Sequence, residues 1–329
     1  MSYLNELNPQ QKEAAEHLHG PIMIIAGAGA GKTKTITHRI AHLIENGVPG
    51  EAILAVTFTN KAAGEMRERV GKLLENTTAG NSPISAINDR AGLPRGRVPF
   101  ISTFHSLGVR ILREYATEIG LPRSFSIWDR DDSDRAVKEA LKELGLDRDH
   151  NPRQLLSVIS KQKGDGVKAD EYYEKVRFPW ERTAATVWRM YEKSLKSEHA
   201  LDFDDLLIRT LNLLQSNPNV LRALRERWTH ITIDEYQDTN RSQYEIARLL
   251  AGEKKNLCVV GDIDQNIYSW RGADISHLLS FEENFPGARR VTLEENYRST
   301  RTILAAANAI IEKNVRRQKK NLFTNGATG

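Results

Sequence analysis

Residues 21–47 read PIMIIAGAGAGKTKTITHRIAHLIENG, and the period of the pattern changes partway through. Ile22–Ile25 form a short apolar run of the kind that becomes a buried strand. Ala26–Ala30 are loop, and from Lys32 to Asn46 the apolar positions Ile36, Ile40, Leu43 and Ile44 follow helical spacing, with Gly47 as a stop. A strand, a glycine-rich turn and a helix in this order present successive backbone N–H groups and the positive end of a helix dipole to one point, which suits a polyphosphate. Gly27, Gly29 and Gly31 permit positive φ and close approach of a ligand. The loop residues Ala28, Gly29, Ala30, Gly31, Lys32, Thr33 and Lys34 are therefore candidate phosphate-binding residues. Lys32 is expected on the terminal phosphates and the Thr33 hydroxyl on Mg²⁺. Ala26 stands where the usual GxxxxGK[ST] pattern opens with glycine. A glycine-rich turn beside an exposed lysine would give similar letters, but the flanking strand and helix favour the nucleotide site.

The same alternation continues. Apolar runs recur at 52–59, 100–103, 230–234, 256–262 and 289–296, each followed by a helix-like stretch. Alternating strands and helices predict an α/β fold built on a parallel sheet with helices on both faces. Between about 108 and 200 the alternation gives way to charged helical patterns such as DRDDSDRAVKEALKELGLD, read as an inserted all-helical subdomain. Residues 76–98, rich in Gly, Pro, Asn and Ser, read as a long surface loop. At 329 residues, 40% apolar and 27% charged, the chain has the balance of a globular protein of two or three domains. Its 47 Lys and Arg against 43 Asp and Glu permit a nucleic-acid partner without demanding one. Cys258 is the single cysteine, which rules out an internal disulfide. No apolar run is long enough to span a bilayer, and a cytoplasmic location is expected.

HITIDEYQD supplies the second half of a nucleotide site. An apolar strand that delivers Asp234 and Glu235 at its end places one carboxylate to reach a metal, often through water, and the next to act on an attacking water. An acidic pair alone is usually a solvated surface feature; paired with a phosphate loop it points to hydrolysis.

The strings NELNPQQKEA, AGAGAGKT, TFTNKAAGEM, STFHS, LDFDDLL, DEYQD, VVGDIDQNIYSWRGAD and LEENYRST, in this order, resemble the successive motifs of the UvrD/Rep/PcrA group of superfamily 1 DNA helicases. In that group an alanine opens the phosphate loop, as Ala26 does. The resemblance implies a P-loop NTPase lobe of RecA type at 1–107 and 200–285, a helical insertion at 108–199, and the start of a second RecA-like lobe at 286–329. It implies ATP and Mg²⁺ as cofactors, with Gln11 reading the adenine edge and Tyr297 stacking on the base. Asp234 would bind the metal, Glu235 would be the catalytic base, Gln265 would sense the γ-phosphate and Arg298 would stabilise transition-state charge. The partners implied are single-stranded DNA and its junctions with duplex. Phe58, Tyr268 and Trp270 would stack on bases with Arg271 beside them, and Thr59, Asn60, Thr103 and His105 would touch the backbone. Taken alone, Phe58 and Trp270 favour core packing, although Ser269, Arg271 and Gly272 suggest a loop at Trp270, while His105 favours a structural histidine, Gln11 a solvent-facing helix residue and Arg298 a surface ion pair.

Gln265, Tyr268, Trp270 and Arg271 lie within seven residues, so a γ-phosphate-driven shift at Gln265 would reach the stacking platform directly. The resemblance implies 3′ to 5′ movement along a single strand. The sequence ends 31 residues after Arg298, and the expectation is an N-terminal part of a helicase that binds Mg²⁺ and ATP weakly and by itself neither hydrolyses ATP efficiently in response to DNA nor unwinds it. Rival readings are an ATP-regulated switch or kinase, a non-catalytic DNA-binding or interaction fragment, and a helicase joined to a nuclease.

Overall fold

The computed structural model describes residues 3–75, 98–253, 255–269, 272–314 and 320–329. The polar loop expected at 76–98 lies outside the described residues apart from Val98. Contacts divide the chain into two compact units. One comprises Met1–Thr103, Arg222–Thr239 and Ala247–Gly329, and the other Phe104–Leu221 and Asn240–Ile246.

The chain begins with α1 (Pro9–Glu16), β1 (Ile22–Ala26), α2 (Lys32–Glu45), β2 (Ile53–Thr57), α3 (Asn60–Glu75) and β3 (Phe100–Thr103). It continues through α4 (Phe104–Glu114), β4 (Ser126–Ile127), α5 (Arg130–Glu143), α6 (Pro152–Gly164), α7 (Ala169–Lys175), α8 (Pro179–Ser197), β5 (Ala200–Leu201) and α9 (Phe203–Ser216). There follow α10 (Pro218–Arg227), β6 (His230–Ile233), α11 (Arg241–Ala251), β7 (Leu257–Gly261), α12 (Ser276–Leu279), α13 (Phe281–Asn284), β8 (Arg289–Leu293) and α14 (Arg301–Ile311).

The first unit is built on a six-stranded sheet, ordered β3-β2-β6-β7-β1-β8, in which every pairing is parallel. β1, β2, β6 and β7 are buried along their whole length, which is why they read as unbroken apolar runs. β8 is an edge strand; Arg289 and Arg290 are exposed while Val291 and Leu293 are buried. Arg289–Leu293, within the 286–329 stretch, is thus the sixth strand of this sheet, in register with Ile22–Ala26.

The periodicity of α2 predicts one buried stripe, yet Thr35, Thr37, His38, Arg39 and His42 are buried as well. The residues before β1 cover that polar side. Tyr3 donates to Glu45 at 2.6 Å and meets His42 Nδ1 at 3.2 Å, while Arg39 Nη1 reaches the Ala14 carbonyl at 3.4 Å.

The second unit is helical apart from the two-residue parallel pair β4–β5. Its core gathers Trp128, Leu141, Leu155, Ile159, Trp188 and Tyr191. Its helix starts carry legible caps. Asp129 accepts from Asp131 N and Asp132 N, Asn151 precedes Pro152, and the Asp202 side chain accepts from Asp205 N. No helix among the described residues is long and apolar enough to cross a membrane.

Candidate functional site

In a parallel sheet every strand ends on the same edge, so side chains just past those ends converge. The phosphate loop follows β1, Asp234 and Glu235 follow β6, and Gln265 follows β7, the strand that pairs with both. This order brings Lys32 and Glu235 together across Gln265. Lys32 Nζ donates to Glu235 Oε2 at 2.6 Å and lies 3.4 Å from Gln265 Oε1. Lys32 sits at the first position of α2, behind Gly31, whose left-handed backbone (φ 81°) turns the loop into the helix.

Glu235 itself occupies the left-handed region at φ 50°, ψ 45°. A side chain there is strained by about 1–2 kcal/mol, and the conformation aims the carboxylate back toward Lys32 rather than along the strand. Gln237 Nε2 donates to the same Oε2 at 3.0 Å and to Asp238 Oδ2 at 3.2 Å, while Gln237 Oε1 accepts from Asp262 N at 2.9 Å. Gln237 therefore ties the ends of β6 and β7 together. It stands inside DEYQD, but its role depends on contacts between strands that spacing along the chain does not reveal.

Asp234 is buried, and its Oδ1 accepts the Glu235 backbone N–H at 3.0 Å. Burial, and then the charge of Glu235, push its carboxyl up to about 6. A buried carboxyl biased toward its neutral form gains from a cation brought beside it, and the Thr33 hydroxyl at the start of α2 is a second hard oxygen donor. Among the described residues no group of three or more His, Cys, Asp or Glu could hold a metal by itself.

The segment after β8 closes over the phosphate loop. Asn296, buried, donates from Nδ2 to the Ala28 carbonyl at 2.5 Å and accepts from the N–H groups of Arg298 and Ser299 at 2.8 and 2.7 Å. Tyr297 N donates to the Gly29 carbonyl at 3.0 Å. The fit needs glycine, since a Cβ at Gly29 would lie 2.6 Å from Asn296 Nδ2 and 2.8 Å from Arg298 Cβ. Arg298 is exposed beside the loop. Asn296 is the residue that holds Tyr297 and Arg298 there; a buried amide just beyond a strand end was the available signal.

Gln11 is 1% exposed rather than solvent-facing. Its amide donates to the Ala30 carbonyl at 3.0 Å and accepts from Asn8 N at 3.2 Å, completing the cap of α1. The Tyr297 ring is exposed, and its hydroxyl donates to Glu295 at 2.7 Å and accepts from Asn8 at 2.9 Å. Burial of the hydroxyl, together with Glu295, pushes it up to about 12. Gln11 and Tyr297 thus meet through Asn8 at one side of the loop.

Phe58 and Tyr268 stack on one another, centroids 5.1 Å apart and planes 24° off parallel. Thr59 accepts from Ala62 N at 3.1 Å at the start of α3, which begins at Asn60, and both side chains are exposed. Thr103, buried, ends β3 in register with Thr57, so it leaves the sheet beside Phe58. His105 belongs to the helical unit, where its ring meets Phe203 edge-on at 5.6 Å and burial lowers its pKa. Trp270 and Arg271 lie outside the described residues.

The family of the UvrD/REP helicase N-terminal domain matches residues 7–286. The chain is 45% identical over 329 residues to the ATP-dependent DNA helicase PcrA of Staphylococcus aureus strain Mu50, covering 99% of this chain and 42% of that protein. It is 44% identical over 328 residues to the protein of the same name from Bacillus subtilis strain 168, and 43% identical over 327 residues to that of Leuconostoc citreum. The alignments span 42% and 41% of those two proteins, so the chain covers less than half the length of these relatives.

Proposed function

This chain belongs to the UvrD/REP helicase family, and from that premise we propose that it carries the ATP-hydrolysing site of a DNA helicase that moves 3′ to 5′ on single-stranded DNA. The observation that supports this most directly is the cluster of Lys32, Glu235 and Gln265 at the ends of three adjacent parallel strands. Lys32 and the amides of Ala28–Thr33, with Lys34, would bind the phosphates. Thr33 and Asp234 would hold Mg²⁺, which offsets phosphate charge when bound. A triphosphate takes Lys32 from Glu235, and the freed carboxylate becomes a base able to accept a proton from the attacking water. Arg298, whose Cβ lies close to Gly29, would stabilise charge developing on the terminal phosphate. Gln11 and Tyr297 frame the base.

Gln265 lies three residues before Tyr268, and Tyr268 stacks on Phe58. Replacing the Lys32 contact on Gln265 by a phosphate would therefore shift a ring of the platform on which bases stack, each base contributing about 1–3 kcal/mol. Trp270, Arg271, Thr59, Asn60, Thr103 and His105 complete the proposed DNA track. Substrates are single strands and their junctions with duplex, and unwinding is proposed for the whole protein. The test is phosphate release from Mg²⁺-ATP by the whole protein, with and without a single-stranded oligonucleotide at low salt. Turnover raised by DNA and absent in Lys32→Ala is the expected result; turnover indifferent to DNA would favour an ATP-regulated switch.

A further inference from the structure

Residues 320–328 return to the nucleotide site from outside the motifs. Lys320 is buried, its ammonium paired with Asp262 and, at 3.0 Å, with Asp264 just beyond β7. Asp262 accepts from Gln265 Nε2 at 2.5 Å, so Lys320 is two hydrogen bonds from the group that touches Lys32. Leu322 lies against Gly27, on the face that the missing side chain leaves open. The segment is pinned beyond these points as well. Asn321 N and Phe323 N donate to Glu294 at 2.8 and 3.1 Å, and Asn325 donates to Glu295 at 2.9 Å. Thr324–Ala327 form one wall of a cleft whose other wall is Glu295–Thr300, Tyr297 and Arg298 included.

We propose that Lys320–Asn325 is a strap closed over the phosphate loop and is displaced when Mg²⁺-nucleotide binds. This deepens the nucleotide reading above and rests on it. A phosphate loop works by close approach of ligand to glycine backbone, and Leu322 occupies that approach at Gly27. The acidic corner of Asp262 and Asp264 needs positive charge. Lys320 supplies it while the strap is closed. Release of Lys320 also frees Asp262 and with it Gln265, the residue proposed to respond to the γ-phosphate. The strap joins α14 through Arg301 N and Thr302 N, which donate to the Ala327 and Thr328 carbonyls at 3.1 Å. Its release therefore changes how the start of α14 is held.

The first experiment is hydrogen–deuterium exchange on the 329-residue chain with and without Mg²⁺-ADP. The expected result is faster exchange in peptides spanning 320–328 and slower exchange in those spanning 27–33. Unchanged or slower exchange at 320–328, with the phosphate loop protected, overturns the strap and leaves the nucleotide site standing. The second is the dissociation constant of a fluorescent ADP analogue in the presence of Mg²⁺. Lys320→Ala removes the latch and is expected to tighten binding by about 3- to 10-fold, because more of the protein is then competent to bind. Weaker or equal binding overturns the proposal. Absence of binding to both the parent chain and Lys320→Ala overturns the nucleotide reading and the strap together.

Discussion

At the scale of single residues, the proposed nucleotide site holds an ion pair that a bound triphosphate would break. Lys32 and Glu235 neutralise one another at 2.6 Å, so changing Glu235 has opposite consequences for binding and for chemistry. Glu235→Gln keeps a hydrogen-bond acceptor but no base. Nucleotide affinity is expected to hold or improve while DNA-stimulated turnover falls by about 10²- to 10⁴-fold, read from binding and single-turnover assays on the same preparation. Gly31→Ala tests the loop geometry. At φ 81° a side chain is strained, and its Cβ would lie 2.6 Å from Gln11 Nε2, so a stability loss of about 1–3 kcal/mol is expected in urea titration. The chemistry-bearing residues were legible because Lys32, Thr33, Asp234 and Glu235 are contiguous pairs in short motifs. Asn296 and Gln237 were not singled out, because what they do is bridge one strand end to another, and no local spacing encodes that.

At the scale of elements, the helical unit is organised around a buried charge. Lys163, on α6, meets Asp202 at 2.8 Å, Asp205 at 2.9 Å and Glu192 at 3.2 Å, while Tyr191 donates to Asp202 at 2.9 Å. One ammonium therefore joins α6, α8 and the start of α9. Lys163→Met would leave three carboxylates facing one another, and a loss of about 3–5 kcal/mol is expected from chemical denaturation. Burial, outweighing the attraction of Lys163, pushes Asp205 up to about 6. A carboxyl whose folded pKa is raised contributes stability below its unfolded value near 3.8 that is lost as pH climbs through about 6. The melting temperature of this unit should fall across that interval, and Asp205→Asn should flatten the slope. The caps at Asp129, Asn151 and Asp202 could be read from sequence, since capping is local. The burial of the polar side of α2 could not, because it depends on Tyr3–Glu16 folding back over it.

At the scale of the whole molecule, two separate cores predict two unfolding transitions in calorimetry. Mg²⁺-nucleotide at a hundredfold excess over its dissociation constant adds about 2.7 kcal/mol to the unit it binds. The transition of the six-stranded unit should rise by ~5 °C or more while that of the helical unit stays in place. Alternating periodicity announced the parallel sheet, yet strand order came only from structure. The placement of β7 between β1 and β6, which sets Gln265 between Lys32 and Glu235, is a matter of long-range pairing. The left-handed backbone at Glu235 has a bearing on how this protein could be engineered. Glycine relaxes at that position, so a library screened for heat resistance alone would be expected to enrich Glu235→Gly and discard the proposed catalytic base. Selection for a sturdier molecule and selection for the proposed hydrolysis pull this one codon in opposite directions.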